Sequence, residues 1–323
     1  MNILITGGLG VNGSWVTRKL VDRGYRPVVL ESRRDFSIIG TDYEDKIELV
    51  EGDITDLDSV VAILKFHKIN RIIDMAAIVS YSREVLHRAF QVNALGPVNI
   101  MEAASQCGVE RIVFTSSRAA YGSVEDSRGH PTYELTRETD LVDPLNAYDV
   151  HKAAAEGMGR VYERMTGVQF VALRFAHIFG PGKSVRHGNF AVMSQLIELP
   201  LNGEPVTIAR GGDQVDDVIY VDDMAEGVVL AALHDKPSYN LYNISRGIGT
   251  RLEDFAHAVR ASIPDAQIDI GPGVDYLNLG AQYYGIMDNH RAKEDLGFEP
   301  RFDLETGVAA YIATLKQRGM VPA

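Results

Sequence analysis

Tyr148 and Lys152 stand four residues apart in Tyr-Asp-Val-His-Lys, and positions four apart share one face of a helix. A lysine ammonium beside a phenol favours the phenolate, so this spacing predicts a tyrosine whose pKa falls from about 10 toward neutrality. Such a tyrosine can take a proton from an alcohol. Far upstream, Gly7, Gly10 and Gly13 punctuate a turn between a short apolar run and a segment of helical spacing. Glycines there allow a tight turn and let the backbone approach a pyrophosphate at the helix N-terminus. Each motif alone is weak. Together, in this order, they indicate hydride transfer between a carbinol and a nicotinamide.

The elements that must position these groups alternate. Apolar runs at 2–6, 27–31, 46–50, 71–74, 111–115 and 169–174 read as strands. Segments at 14–23, through His67, at 83–106 and at 148–165 read as helices. Near-continuous Val, Ile and Leu strands separated by helices predict an α/β fold, a doubly wound parallel sheet covered on both faces. After Arg174 glycines and prolines break the chain into short pieces, so a smaller C-terminal substrate lobe is expected. The division is then a cofactor domain over 1–174 and a lobe over 175–323, with segments near 213–245 returning to the first domain.

More residues follow from this frame. Val11 and Asn12 lie within the glycine turn. Glu31 ends the second strand, where a carboxylate accepts ribose hydroxyls and repels a 2′-phosphate, which selects NAD over NADP. Arg33 and Arg34 are the competing feature, since an arginine there can hold that phosphate. Asp53, followed by Ile54, is placed to reach the adenine or to cap a helix. Ala76 and Ala77 are small enough at a strand end to admit a cofactor.

Composition bounds the partners. The 323 residues suffice for one large domain or two smaller ones. A net charge of -12 argues against nucleic acid, which needs a basic surface. The single cysteine, Cys107, excludes an internal disulfide, and the histidines show no zinc spacing, so no metal is expected. No apolar run reaches the length of a membrane span and no signal peptide precedes Asn2, so a cytoplasmic protein with a small-molecule substrate is expected.

In this order the residues resemble the extended short-chain dehydrogenase/reductase family, the NAD-dependent sugar epimerases and dehydratases. The stations are Gly7-x-x-Gly10-x-x-Gly13, Gly52-Asp53, Ala76-Ala77, Asn93, Phe114-Thr-Ser-Ser117, Tyr148-x-x-x-Lys152, Leu173 to Gly182, Tyr220-Val-Asp-Asp223 and Asp288 to Lys293. The resemblance implies a Rossmann-type sheet binding NAD. It implies Tyr148 as base and Lys152 as the group that lowers its pKa and holds the nicotinamide ribose. Ser117 then hydrogen-bonds the reacting oxygen, with Ser116 the rival position. Asn93 is implied near the active site, Thr115 at the cofactor, and Phe175 beside the nicotinamide. The family also implies a homodimer through the helices at 83–106 and 148–165.

Three substrate positions depart from the family. His177 replaces an asparagine, while Asp216 and Asn278 replace two arginines that clamp a nucleoside diphosphate. A carboxylate against a pyrophosphate turns attraction into repulsion. The expected substrate is therefore a sugar or other small polar secondary alcohol without a nucleotide, handled by dehydrogenation or epimerisation. Ser80, Tyr81, His177 and Arg186 are its candidate contacts, and Lys183, Arg186 and His187 form a basic cluster that reads first as a mobile solvated loop and second as a holder of a carboxylate or phosphate. The alternatives are a nucleotide-sugar 4-epimerase or dehydratase with a rebuilt phosphate site, and a non-catalytic NAD-binding sensor.

Overall fold

The structure is a computed structural model that describes residues 1–79, 82–124 and 126–320. Its centre is a seven-stranded sheet. The strands are β1 (Ile3–Thr6), β2 (Val28–Glu31), β3 (Glu48–Glu51), β4 (Arg71–Asp74), β5 (Arg111–Thr115), β6 (Gln169–Phe175) and, entering later in the chain, Leu241–Ile244. Their order is Leu241–Ile244, β6, β5, β4, β1, β2, β3, and every pairing is parallel. All residues of β1 and β5 are buried, which is what continuous apolar strands covered by helices on both faces require. The strand order reverses between β1 and β4, and a crevice opens at the carboxyl ends of such a pair.

Helices α1 (Gly13–Asp22), α2 (Leu57–His67), α3 (Leu86–Phe90), α4 (Gly96–Cys107) and α5 (Ala147–Thr166) cover the sheet. The single helix expected over 83–106 is interrupted. Between α3 and α4 the backbone widens into a π-turn at Gln91–Leu95, just ahead of Pro97 in the first turn of α4. Proline has no N–H to continue the ladder, and such turns gather at functional positions. Here the turn carries Asn93. Helix α5 starts where a capping box allows: Asn146 accepts from the Asp149 N–H at 3.1 Å while Asp149 accepts from the Asn146 N–H at 3.3 Å. That cap fixes the first turn, on which Tyr148 sits. Gly167, with φ +78°, ends the helix.

The remainder begins with β7 (His177–Phe179), α6 (Lys183–His187), α7 (Val192–Leu201), β8 (Val206–Ile208), β9 (Val215–Tyr220) and α8 (Val221–Leu233). Helix α8 packs on α1, and the chain then adds the outer sheet strand, β10 (Leu241–Ile244). Strand β11 (Gly249–Arg251) pairs with β9, which also pairs with β7. One apolar core runs unbroken from Ile3, Ile5 and Leu20 through Leu173 to Val228, Tyr242, Phe255 and Tyr311. No described helix is long and apolar enough to cross a membrane.

Candidate active site

A cavity of about 540 Å³ lies across the carboxyl ends of β1, β4 and β5, with β7, α6 and the 277–284 segment forming its far wall. The glycine turn is one wall. Gly7 adopts φ +69°, and a Cβ there would meet the Ala76 backbone at 3.0 Å. A Cβ on Gly13 would come within 2.0 Å of the Gly7 carbonyl oxygen. Neither position tolerates a side chain. Gly10 is less constrained; its N–H donates to the Gly7 carbonyl at 3.1 Å. Val11 and Asn12 line the cavity, and the Asn12 amide oxygen is buried with no hydrogen-bond partner among the described residues. The turn thus keeps polar capacity for a ligand, and a bare-backbone cradle before a helix fits a dinucleotide pyrophosphate.

Glu31 lines the cavity at the end of β2 and accepts from the Leu9 N–H at 2.7 Å. Burial raises its pKa, against the backbone hydrogen bonds of Leu9 and Gly10. Arg33 and Arg34 turn away, to Asp35 at 3.6 Å and to Glu44. Asp53 accepts from the Thr55 N–H at 2.9 Å and pairs with Arg88, so its loop-capping role is filled while it still lines the cavity. Ile54, Ala76 and Ala77 line the same stretch. Asn93 does not. Its amide accepts from the Ile78 N–H and donates to the Ile78 carbonyl, both at 2.8 Å, so it clamps the loop after β4 from behind.

At the other end Lys152 is buried, and its Nζ donates to the Thr115 carbonyl at 2.7 Å. The ammonium lies 5.7 Å from the Tyr148 ring centroid. Burial lowers the Lys152 pKa to about 8, while Asp74 and Glu156 pull it upward. Asp74 is itself fully buried and pushed up to about 6, held by the Thr6 hydroxyl at 2.6 Å. Thr115 therefore acts through its carbonyl, its hydroxyl being committed to the Asp74 carbonyl at 2.9 Å. Tyr148, Ser117 and Phe175 all line the cavity, and the Ser117 oxygen accepts from the Ala119 N–H at 3.1 Å.

Ser116 lines the cavity, but its hydroxyl is already engaged. Its hydroxyl donates to Glu156 at 2.5 Å, and Glu156 is gripped by Arg174 at 2.6 and 2.9 Å. Arg186 also departs: it is exposed and pairs with Asp35, away from the catalytic end. Ser80 and Tyr81 lie outside the described residues.

Asp216 requires a correction of another kind. It is 1% exposed and does not line the cavity. Arg118 pairs with both its oxygens, the Tyr276 hydroxyl donates to it at 3.0 Å, and His177 Nδ1 lies 3.1 Å away. Burial opposes its charge, but Arg118 and His177 prevail and hold its pKa below the ordinary carboxylate value. Asp216 therefore occupies the guanidinium of Arg118, the residue that follows Ser117. Asn278 accepts from Arg210. The neighbouring acids are also engaged: Asp213 with the Gly273 N–H, Asp217 with Arg246, Gly247 and Met287, and Asp223 with Arg301 and Phe302. No group of them could hold a metal among the described residues.

The sequence reading missed part of the lining. Tyr283 receives the Asn146 amide and donates to Asp149, each at 2.9 Å, so it braces the start of α5. Tyr284 stacks under the Arg118 guanidinium at 5.3 Å. The pair Tyr283-Tyr284 in a glycine-rich stretch was the available signal. Asp74 and Glu156 carried none, because a carboxylate in a strand or helix reads as surface until its burial is known.

Residues 3–245 match the model of the NAD dependent epimerase/dehydratase family. The chain belongs to that family. It is 29% identical over 325 residues to the UDP-glucose 4-epimerase of Mycolicibacterium smegmatis, covering 98% of this chain and 99% of that one. The UDP-glucose 4-epimerase of Thermus thermophilus, solved in complex with NAD, superposes with a TM-score of 0.81 at 27% identity, over 98% of this chain and 99% of that one. An L-threonine dehydrogenase from Cupriavidus necator gives a TM-score of 0.84 at 24% identity, over 98% and 100%, a likeness of fold alone. The family member described here is an NAD-dependent enzyme with a Rossmann-type sheet.

Proposed function

We propose that this enzyme oxidises, or oxidises and re-reduces, a secondary alcohol on a sugar-like or other small polar substrate that carries no nucleotide. The observation behind this reading is the Lys152 ammonium, buried and tied to the Thr115 carbonyl beside Tyr148, in the cavity that the glycine turn also lines. NAD, when bound, supplies the hydride acceptor. Gly7, Gly10, Val11, Asn12 and Gly13 hold its pyrophosphate, Glu31 and Asp53 its adenosine half, and Lys152 and Phe175 its nicotinamide half. Ala76 and Ala77 give it room.

Tyr148 takes the hydroxyl proton of the substrate. The adjacent cation stabilises the negative oxygen this creates. Ser117 hydrogen-bonds the reacting oxygen. In the reverse direction Tyr148 returns the proton, and the same groups give epimerisation if the carbonyl is reduced from its other face. The substrate is read as nucleotide-free because Arg118 is already neutralised by Asp216, and Asn278 stands where a second arginine is expected. Exposed Leu86, Phe90, Leu95, Val150 and Met158 on α3, α5 and the π-turn support dimerisation through that face.

The second reading, a nucleotide-sugar 4-epimerase, is favoured by the named activities of the curated relatives. Two measurements separate the readings. Neutral and acidic polyols and sugars are incubated with enzyme and NAD, following NADH absorbance and epimer formation. UDP is titrated by calorimetry in parallel. Turnover of a nucleotide-free alcohol without UDP binding supports the proposal, and micromolar UDP binding defeats it.

A further inference from the structure

The basic cluster after Gly182 splits in the structure. Arg186 turns outward to Asp35, while Lys183 and His187 line the cavity. Lys183 is 5% exposed, and among the described residues no carboxylate pairs with it and no hydrogen bond is made by its ammonium. Its direction is built in. Gly182 adopts φ +86°, and a Cβ there would meet Ile38 at 3.2 Å, so the turn is packed down and the next side chain enters the cavity. The charged groups that act on neighbouring His187 are Lys183, His177 and Arg186, with no acid among them. A buried ammonium facing a cavity without a counter-ion is an incomplete electrostatic arrangement.

We infer that Lys183, with the His187 imidazole beside it, is a receptor for an anionic oxygen group of the substrate, a carboxylate or a single phosphoryl group. This rests on the nucleotide-free reading above and narrows it to an acidic secondary alcohol. The cofactor pyrophosphate is the other anion in reach of this cavity. It is served by the Gly7–Gly13 turn and the start of α1, whereas Lys183 stands on α6, which follows His177 and Phe175 in the chain. One ammonium, with Arg118 committed to Asp216, suits one anionic group better than a diphosphate. Burial also lowers the Lys183 pKa to about 7, so an anion that restores its charge binds more tightly on the acid side of neutrality.

The probe is inorganic phosphate, titrated by calorimetry into the full-length protein with and without saturating NAD. The NAD-loaded protein is expected to bind phosphate, Lys183→Met to weaken that binding by about tenfold or more, and Arg186→Ala to leave it within about twofold. NAD affinity should stay within about twofold in Lys183→Met, which also shows that the variant is folded; Lys183→Gln is the second variant should Met fail to fold. Phosphate binding only to the NAD-free protein, a tenfold loss of NAD affinity in Lys183→Met, or phosphate binding indifferent to Lys183 would each overturn the assignment. UDP binding that falls with phosphate binding in the variant would leave the anion site standing and remove the nucleotide-free reading.

Discussion

Lys152 and Lys183 are both buried cations lining one cavity, and they differ in what answers them. Lys152 has the Thr115 carbonyl at 2.7 Å, with Asp74 and Glu156 close enough to raise its pKa against burial. Lys183 has burial alone. The first environment is complete before any ligand arrives, as preorganised catalysis requires, because the field at Tyr148 must not wait for reorganisation. The second is complete only when something negative enters. On the proposed reading one chain holds a fixed end, where Tyr148 and Lys152 do the chemistry, and an open end, where the ligand supplies the missing charge. The Arg118–Asp216 pair, at the same cavity, is a cation already answered from within the protein.

The largest test of this contrast falls on the fixed end. Lys152→Met removes both the cation beside Tyr148 and the anchor on Thr115, and kcat is expected to fall by about 10²–10⁴-fold in steady-state assays. A loss of less than tenfold would mean that Lys152 only fills space. Next comes the Arg118–Asp216 pair. Asp216→Ala leaves the Arg118 guanidinium buried and unpaired, and urea denaturation should show a loss of about 3–5 kcal/mol. Adding Arg118→Met should restore most of it, and failure of that rescue would deny the pairing its structural role.

Cofactor binding gives a smaller effect. At about 100 times its dissociation constant, NAD should stabilise the protein by about 2.7 kcal/mol in thermal or urea unfolding. NADP at the same concentration should give far less, because the role proposed for Glu31 is to accept the ribose hydroxyls, where it would repel a 2′-phosphate. Equal stabilisation by the two would contradict the placement of Glu31.

The smallest effect is the pH signature of the open end. The folded pKa of Lys183, about 7, lies below the unfolded lysine value of about 10.4. Between those values the unfolded chain carries the extra proton, so the stability of the ligand-free protein rises with pH. The slope is at most about 1.4 kcal/mol per unit for this one group. Lys152, lowered to about 8, adds the same sign over a narrower window. Lys183→Met should remove only the first contribution, most visibly between about pH 7 and 8. Identical pH profiles for wild type and variant would show that Lys183 is solvated after all.

The fixed end was legible in the sequence because its requirements are local. A glycine turn, a strand-end carboxylate and a Tyr-x-x-x-Lys helix each declare themselves by spacing, and strands β1 to β6 follow from apolar runs. The open end was legible only as residue types. Lys183, Arg186 and His187 sit within five positions, and nothing in their spacing tells that two turn inward and one outward; the packing of Gly182 on Ile38 decides it. Asp216 read as a repelling charge because its partner, Arg118, is 98 residues away. The break at Gln91–Leu95 was hidden because the flanking segments are both helical, although Pro97 marked the place. Long-range pairing and side-chain direction are what a linear pattern does not hold.

The most direct test of the whole account removes one oxygen atom. Tyr148→Phe keeps the ring and its place near the Lys152 ammonium, and NAD affinity, followed by calorimetry, should stay within about twofold. Turnover of the substrate identified in the alcohol panel should drop by about 10²–10⁴-fold. Intact turnover in that variant, or a folded wild-type protein unable to bind NAD, would contradict the account.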